Sequence, residues 1–171
     1  IAGSDNHNLQ PYLTKAIKQL QKRGPDVQQA VEVSDRVGFG HARLSIIDTS
    51  SAGTQPMYDN TGRYAIIFNG EIFNYRELKE QFLAGETGFQ SHSDTEVLLR
   101  LYIKLGADCV QHLNGFFAFA IYDKQTQTTF IARDRYGIKP LLYTRYNGAF
   151  VFASELKALL QFPVKKEIDF D

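Results

Sequence analysis

Three consecutive residues, Asn69, Gly70 and Glu71, combine groups that can stabilise a developing negative charge. The asparagine amide and the backbone N–H of a residue without a side chain are two hydrogen-bond donors, and an acid follows directly. Such donors matter strongly at an oxyanion, because removal of one costs about 2.7–4 kcal/mol. Asn-Gly is also a common turn sequence, so a strand-to-helix turn without chemistry explains the same residues equally well.

Two further charged residues have both a functional and a structural interpretation. Arg43 lies in an apolar, strand-like run, where a guanidinium must pair with an acid or face a cleft. An ion pair with Asp48 or another acid is the simpler explanation. Asp94 falls in the first turn of a predicted helix, where a carboxylate is favourable beside the free N–H groups. From the residues alone, pairing and helix capping are the favoured roles.

The single cysteine, Cys109, is not expected to act as a nucleophile. It falls in a predicted helix with His112 three residues later, and a lone cysteine among apolar neighbours is usually a small buried residue. One cysteine and four scattered histidines make neither a disulfide framework nor a metal site. A second polar cluster, Arg133–Pro140, places three cations and an acid between two strands, and we expect its members to pair with one another.

The composition excludes several classes of function. The 171 residues include 19 Lys and Arg against 19 Asp and Glu, so the formal charge is zero and nucleic-acid or membrane binding by bulk charge has no support. No apolar run approaches the roughly 20 residues that span a bilayer, and the polar start does not resemble a signal peptide. We therefore expect a cytoplasmic protein. Gly38 and Gly40 lack the third glycine of a dinucleotide-binding loop.

The elements that must position these groups follow from periodicity and capping signals. Strand patterns cover Val37–Ile47 and Tyr64–Phe68, and the second strand delivers Asn69 to its end. Asn74 with Glu77 and Ser93 with Glu96 resemble capping boxes that begin two helices. The remaining predicted elements are a helix from Leu9 to Leu20, strands Phe116–Tyr122, Thr128–Ala132, Leu141–Tyr146 and Ala149–Ala153 with a tight turn at Asn147-Gly148, and a helix Ser154–Leu160.

This order of elements predicts an α+β fold rather than alternating βαβ units, with helices covering sheets. The residues after Phe162 are polar and include Pro163, which is typical of a linker that leaves a domain.

Six motifs occur in a fixed order along the chain. They are Arg23-Gly24-Pro25-Asp26, His41-x-Arg43-Leu44-Ser45-Ile46-Ile47-Asp48, Gln55-Pro56-Met57, Asn69 to Leu78, Ser93-Asp94-Thr95-Glu96 and Arg133 to Leu141. Together they resemble the motifs of one family, the glutamine amidotransferase domain of asparagine synthetase, and the resemblance runs from Ile1 to about Phe162.

The resemblance implies the N-terminal-nucleophile hydrolase fold, a four-layer αββα sandwich of two antiparallel sheets. It implies that Arg43 holds the α-carboxylate of glutamine, that Glu71 and Asp94 hold its amino group, and that Asn69 and the Gly70 N–H form an oxyanion hole. These binding roles replace the structural ones that the residues alone favour, although capping and binding can coexist at Asp94.

The mechanism of this family requires an N-terminal cysteine, whose thiol attacks the glutamine amide while its own α-amino group, with a pKa of about 8, acts as the base. Family members begin Cys-Gly-Ile, whereas this sequence begins Ile1-Ala2-Gly3. We therefore expect the nucleophile just upstream of Ile1 and an inactive enzyme without it. The alternative is a non-catalytic relative that senses glutamine or regulates a partner.

The resemblance also implies a longer polypeptide. We expect residues 1–162 to form the glutaminase domain and residues 163–171 a linker toward a C-terminal synthetase domain that makes asparagine with ATP and Mg. Glutamine is the expected small-molecule partner, and a homodimer is one assembly that fits. Within this domain we expect no metal and no cofactor.

Overall fold

The computed structural model describes residues 9–43, 54–146, 148–164 and 166. The chain divides into two compact units. Unit one consists of residues 1–44 and 140–171, and unit two of residues 45–139. That residues 1–162 act as one domain stays a prediction.

The described elements of unit two are β3 Met57–Tyr58, β4 Tyr64–Ile72, α2 Tyr75–Phe82, α3 Asp94–Leu105, a 3-10 helix Gly106–His112, β5 Gly115–Asp123 and β6 Thr128–Arg133. These four strands form an antiparallel sheet with the order β3-β4-β5-β6. The central pair is long: Gly70 of β4 lies opposite Phe117 of β5, and Glu71 lies opposite Phe116.

One face of this sheet packs against the helices. Side chains alternate between the two faces of a strand, so every second residue of β4 and β5 enters the same core. Each fully buried aliphatic or aromatic side chain contributes about 1.5–3 kcal/mol. The core residues include Ile66, Phe68 and Ile72 of β4, Phe117, Phe119 and Ile121 of β5, and Leu78, Leu98 and Leu101 of the helices.

In its described residues, unit one contains two antiparallel strand pairs and two helices. The first helix has Pro11 in its first turn, as predicted, and buries Leu13 and Ile17. The predicted strand after Val37 is described only as far as Arg43, and Asn147 of the predicted turn also lies outside the described residues. The elements are α1 Gln10–Gln19, β1 Val27–Ser34, β2 Val37–Arg43, β7 Leu142–Tyr146, β8 Ala149–Ala153 and α4 Leu156–Leu159.

The structure corrects both predicted capping boxes. The Ser93 hydroxyl accepts a hydrogen bond from the Glu96 N–H, as predicted, but the Glu96 carboxylate does not return it. That carboxylate is buried; it accepts the Gln90 and Ser91 N–H groups and pairs with Arg100. Half of the capping-box prediction is therefore confirmed at this helix, and Glu96 instead fixes the segment before α3.

At α2 the capping-box prediction is wrong. Asn74 is the N-cap residue, but its side chain makes no capping hydrogen bond. Its amide donates to the His112 carbonyl at 2.9 Å and accepts the Asn114 N–H at 2.9 Å. Because an amide carries both a donor and an acceptor, the Asn74 side chain can form one hydrogen bond with His112 and one with Asn114, in the segment just before β5.

No helix among the described residues is long and apolar enough to cross a membrane.

The two Asn74 hydrogen bonds predict a measurable difference in stability. Asn74→Ala removes both, and at a net 0.5–1.5 kcal/mol each the free energy of unfolding should fall by about 1–3 kcal/mol. Glu77→Ala, which removes the capping-box partner expected from sequence, is the control and should change it by less than about 0.5 kcal/mol. Urea unfolding of both variants measures the difference, and equal losses would contradict the structural role of Asn74.

Candidate active site

The candidate site begins at the edge of β4 that faces away from β5. Phe117 exchanges backbone and side-chain hydrogen bonds with Asp134, which follows β6, so its N–H and carbonyl point toward β6. When a residue of β5 directs its N–H and carbonyl away from β4, the residue opposite it on β4 directs its own N–H and carbonyl away from β5. Gly70 is that residue. Its N–H therefore points to the β3 side of the sheet.

Three backbone N–H groups share this edge beyond the short strand β3. The Phe68 N–H donates to Oε1 of Gln55 at 2.6 Å, and the Ile72 N–H donates to Oδ2 of Asp94 at 2.9 Å. Gly70 lies between them, and the described residues supply no acceptor for its N–H. Buried backbone donors are nearly always paired, so an N–H in this position is suited to a ligand oxygen.

A close approach of two strands explains why residue 70 is a glycine. A Cβ atom placed there would lie 2.1 Å from the Phe116 carbonyl oxygen and 2.8 Å from the Phe117 Cα atom. The sequence pattern predicts that β4 ends at Phe68, with a strand-to-helix turn at Asn69-Gly70 as the alternative to an oxyanion site. The structure instead continues β4 to Ile72, so the turn alternative is wrong and Gly70 is part of a paired strand.

Asn69 and Glu71 occupy the sheet face opposite the helices. They alternate along β4 with Phe68, Gly70 and Ile72, and Phe68 and Ile72 belong to the helix-facing core. Glu71 is exposed and Asn69 is half-buried. The amide, the glycine N–H and the acid are thus successive groups on a rigid central strand.

Asp94 is brought to the same strand from α3. It is the first residue of this helix, yet its carboxylate also accepts the Ile72 N–H. Burial raises the pKa of Asp94, and the negative charge of Glu71 raises it further, against the opposing effect of the Ile72 and Thr95 N–H groups. Two neighbouring carboxylates that repel each other form a site that favours a cation.

Arg43 lies in unit one, at the last residue of β2. It is half-buried and lies opposite Val27, and its carbonyl accepts the Asp26 N–H at 3.2 Å. Asp48, the ion-pair partner considered from the sequence, lies outside the described residues. The convergence of Arg43 with Asn69, Glu71 and Asp94 stays a prediction.

In the polar cluster Arg133–Pro140, the charged side chains of Arg133 and Asp134 form hydrogen bonds with backbone groups rather than ion pairs with one another. The Asp134 carboxylate is buried and accepts N–H groups from Phe117, Tyr136, Ile138 and Lys139. The Arg133 guanidinium donates to the carbonyl groups of Gly137 and Lys139. Burial alone would raise the pKa of Asp134, but the four N–H groups lower it. The predicted internal ion pairing is therefore wrong in its partners, although the structural role is as expected.

Cys109 is not a nucleophile. The residue is fully buried, and this burial, with a smaller effect of the Asp108 charge, raises the pKa of the thiol to about 12. The nearby His112 ring packs on Phe82 with ring centroids 4.7 Å apart. The buried position that the apolar neighbours in the sequence predict is confirmed, and the raised pKa keeps the thiol protonated at neutral pH.

Sequence reasoning missed Gln55 as part of this edge. In the sequence it is only one residue of a motif, yet it is buried and accepts a β4 N–H. The signal that could identify it is a polar residue directly before Pro56, at the point where a strand begins.

The described residues include no group of three or more His, Cys, Asp or Glu side chains that could hold a metal ion.

This chain belongs to the family of glutamine amidotransferase domains, because the family model with that description matches residues 1–171. Its curated relatives include asparagine synthetases, as the sequence motifs predict. It is 46% identical over 154 residues to asparagine synthetase (glutamine-hydrolyzing) 3 of Bacillus subtilis, a match that covers 88% of this chain and 25% of that protein. It is therefore a glutamine amidotransferase domain homologous to the glutamine-hydrolysing asparagine synthetases.

Two other relatives show the range of the family. A putative asparagine synthetase (glutamine-hydrolyzing) 2 of Methanocaldococcus jannaschii is 42% identical over 166 residues, which are 86% of this chain and 32% of the relative. Amidase chry2 of Gibberella zeae is 38% identical over 168 residues, which are 98% of this chain and 25% of the relative. The chain thus spans a third or less of the length of these proteins.

Solved structures confirm the fold class. The glutamine phosphoribosylpyrophosphate amidotransferase of B. subtilis, complexed with ADP and GMP, is 32% identical and matches 71% of this chain and 28% of its own, with a TM-score of 0.59. A structure of the allosteric regulatory enzyme of purine biosynthesis is 23% identical and matches 91% of this chain and 42% of its own, with a TM-score of 0.73. The α+β prediction and the N-terminal-nucleophile hydrolase fold are therefore confirmed.

The close approach at Gly70 predicts a large loss of stability for Gly70→Ala. The added Cβ meets backbone atoms of β5, which cannot rotate away, so the free energy of unfolding should fall by about 3 kcal/mol. Gly62→Ala is the control, since Gly62 has a φ of 70° but open space around it, and should cost about 1–2 kcal/mol. Urea unfolding compares the two, and a Gly70→Ala loss no larger than that of the control would contradict the close approach.

Proposed function

We propose that this chain is the glutaminase domain of an asparagine synthetase-like enzyme, which hydrolyses glutamine to glutamate and ammonia for another domain of the same polypeptide. The observation that carries the proposal is the β4 edge, where the Gly70 N–H lies between two N–H groups that side chains already occupy. One of these side chains, Asp94, places its carboxylate beside Glu71.

The two carboxylates of this site suit the charged amino group of an amino acid. Glu71 and Asp94 would hold the α-ammonium of glutamine through charge-assisted hydrogen bonds, which are about twice as strong as neutral ones. Arg43 would hold the α-carboxylate with its forked guanidinium. Recognition of both charged ends explains why a free amino acid, rather than a peptide, is the proposed substrate.

Asn69 and Gly70 would stabilise the oxyanion that forms on the glutamine side-chain carbonyl. The Gly70 N–H is held by a rigid strand, so it needs no reorganisation when charge develops. The nucleophile would be a cysteine thiol that precedes Ile1, with its own α-amino group as the base. The thiol bonds to the amide carbon and ammonia leaves with the transferred proton, after which water cleaves the thioester and releases glutamate. The buried, protonated Cys109 cannot replace it.

The ammonia would be used outside this chain. We propose that residues 163–171 lead to a C-terminal synthetase domain in which ATP and Mg activate the acceptor, and that the enzyme works in the cytoplasm. The glutaminase step itself uses no cofactor in this proposal.

The identity of the acceptor is the least constrained part of the proposal. Aspartate is the acceptor that the name asparagine synthetase implies, and two curated relatives carry that name. A third relative of similar coverage is named an amidase, a name that specifies no acceptor. The non-catalytic, glutamine-sensing alternative is not favoured by these relatives.

Adding Cys-Gly ahead of Ile1 provides the direct test of the proposed chemistry. The extended chain should release glutamate from glutamine, and Asn69→Ala in that chain should lower kcat about 10²- to 10³-fold through loss of one oxyanion donor. A Ser-Gly extension is the matched control and should be inactive. Failure of the folded Cys-Gly chain to release glutamate would overturn the proposal.

The raised pKa of Asp94 predicts how glutamine binding depends on pH. An ordinary aspartate has a pKa of about 3.9. Burial raises the pKa of Asp94 above that value, so this carboxyl takes up a proton at a higher pH, and glutamine affinity should fall as the pH is lowered from 7 through the raised pKa. The ammonium group of glutamine stays charged throughout this range, so a change in affinity reflects protonation of the protein and not of the ligand.

Asp94→Asn should weaken binding at pH 7 about 10- to 100-fold and should flatten this pH dependence. The exposed Asp108→Asn is the control and should behave like the unsubstituted chain. Titration calorimetry at several pH values measures both. An affinity that stays constant from pH 7 to pH 4 would exclude Asp94 as the ammonium partner.

A further inference from the structure

Gln55 lies where the backbone hydrogen bonds between β3 and β4 end. Met57 of β3 lies opposite Ile66 of β4, so the antiparallel register places Gln55 opposite Phe68. The backbone ladder does not reach this position, because β3 begins only at Met57. The Gln55 side chain takes over, and its Oε1 accepts the Phe68 N–H at 2.6 Å.

We propose that Gln55 is a positioning residue for the oxyanion donor, an inference that rests on the proposed glutaminase function. Its side chain accepts the hydrogen bond of the Phe68 N–H, two residues before Gly70. The Asp94 carboxylate accepts the hydrogen bond of the Ile72 N–H, two residues after Gly70. Between these two side chains the Gly70 N–H stays directed toward the ligand position.

The burial of Gln55 shows why this acceptor matters. The residue is 6% exposed, so without its carbonyl the Phe68 N–H would be a buried donor without a partner. Water or an altered chain path would then satisfy that donor, about 7 Å along the strand from the Gly70 N–H. Either change would loosen or hydrate the oxyanion hole. An effect of this kind acts on the transition state more than on the bound substrate, so it lowers kcat rather than raising KM.

The neutrality of the glutamine side chain is the second part of the argument. A glutamate at this position offers an equally good acceptor of nearly the same shape, but it adds a negative charge about 7 Å from the developing oxyanion. Like charges at that distance oppose each other in a partly buried site. An uncharged acceptor therefore satisfies Phe68 without working against the reaction.

The experiment compares Gln55→Glu and Gln55→Met in the Cys-Gly-extended chain. Gln55→Glu should lower kcat about 10- to 50-fold at pH 7 with KM changed less than about twofold, and kcat relative to the unsubstituted chain should recover as the pH falls through the pKa of the new carboxyl. Gln55→Met keeps the volume but lacks the acceptor, so it should lower kcat without that recovery.

Amide hydrogen exchange, followed by NMR, provides a measurement that does not depend on activity. The Phe68 amide should exchange faster in Gln55→Met than in Gln55→Glu or the unsubstituted chain, whereas the Ile72 amide, which donates to Asp94, should be unchanged and serves as the internal control. Unchanged Phe68 exchange in Gln55→Met would overturn the proposal, as would a normal kcat in Gln55→Glu. An unsubstituted extended chain without glutaminase activity would instead overturn the proposed function, and the exchange data would still decide whether Gln55 satisfies the edge.

Discussion

The hydrogen bond from the Ile72 N–H to the Asp94 carboxylate is the interaction on which the candidate site depends. It joins the first residue of α3 to the end of β4, 22 positions earlier in the sequence, and brings a second carboxylate to Glu71. Keeping this carboxylate ionised has an energetic cost that the hydrogen bond only partly offsets, since burial and the neighbouring charge of Glu71 both raise the pKa of Asp94. A bound ammonium group would offset that cost, because an adjacent cation favours the ionised carboxyl.

The same strand edge links packing to chemistry. The backbone of β5 approaches β4 so closely at residue 70 that only a glycine fits, and the antiparallel alternation then turns the Gly70 N–H outward. Gln55 and Asp94 satisfy the N–H groups on either side. The core behind the strand, which includes Phe68, Ile72 and Phe117, holds these groups in fixed positions. A rigid donor of this kind is what charge stabilisation requires.

The extent to which sequence predicted these features depends on the range of the interactions. Helices and strands followed from local periodicity and residue type, and the ordered motifs identified the family. The roles of Asn69, Gly70 and Glu71 in binding and catalysis stay predictions. The partners of Asn74, Glu96 and Asp134 did not follow, because each has an alternative local role that a sequence pattern favours and only tertiary packing decides. The end of β4 was placed too early, because Asn-Gly usually marks a turn. The role of Gln55 depends on the β3–β4 register, which no local signal contains.

A crystal structure of the chain with L-glutamine tests the central claim most directly. The account predicts that the side-chain carbonyl oxygen of glutamine lies within about 3 Å of the Gly70 nitrogen, with its ammonium group between the Glu71 and Asp94 carboxylates. Glutamine bound at another surface, or a Gly70 N–H that donates to a protein acceptor in the complex, would contradict it.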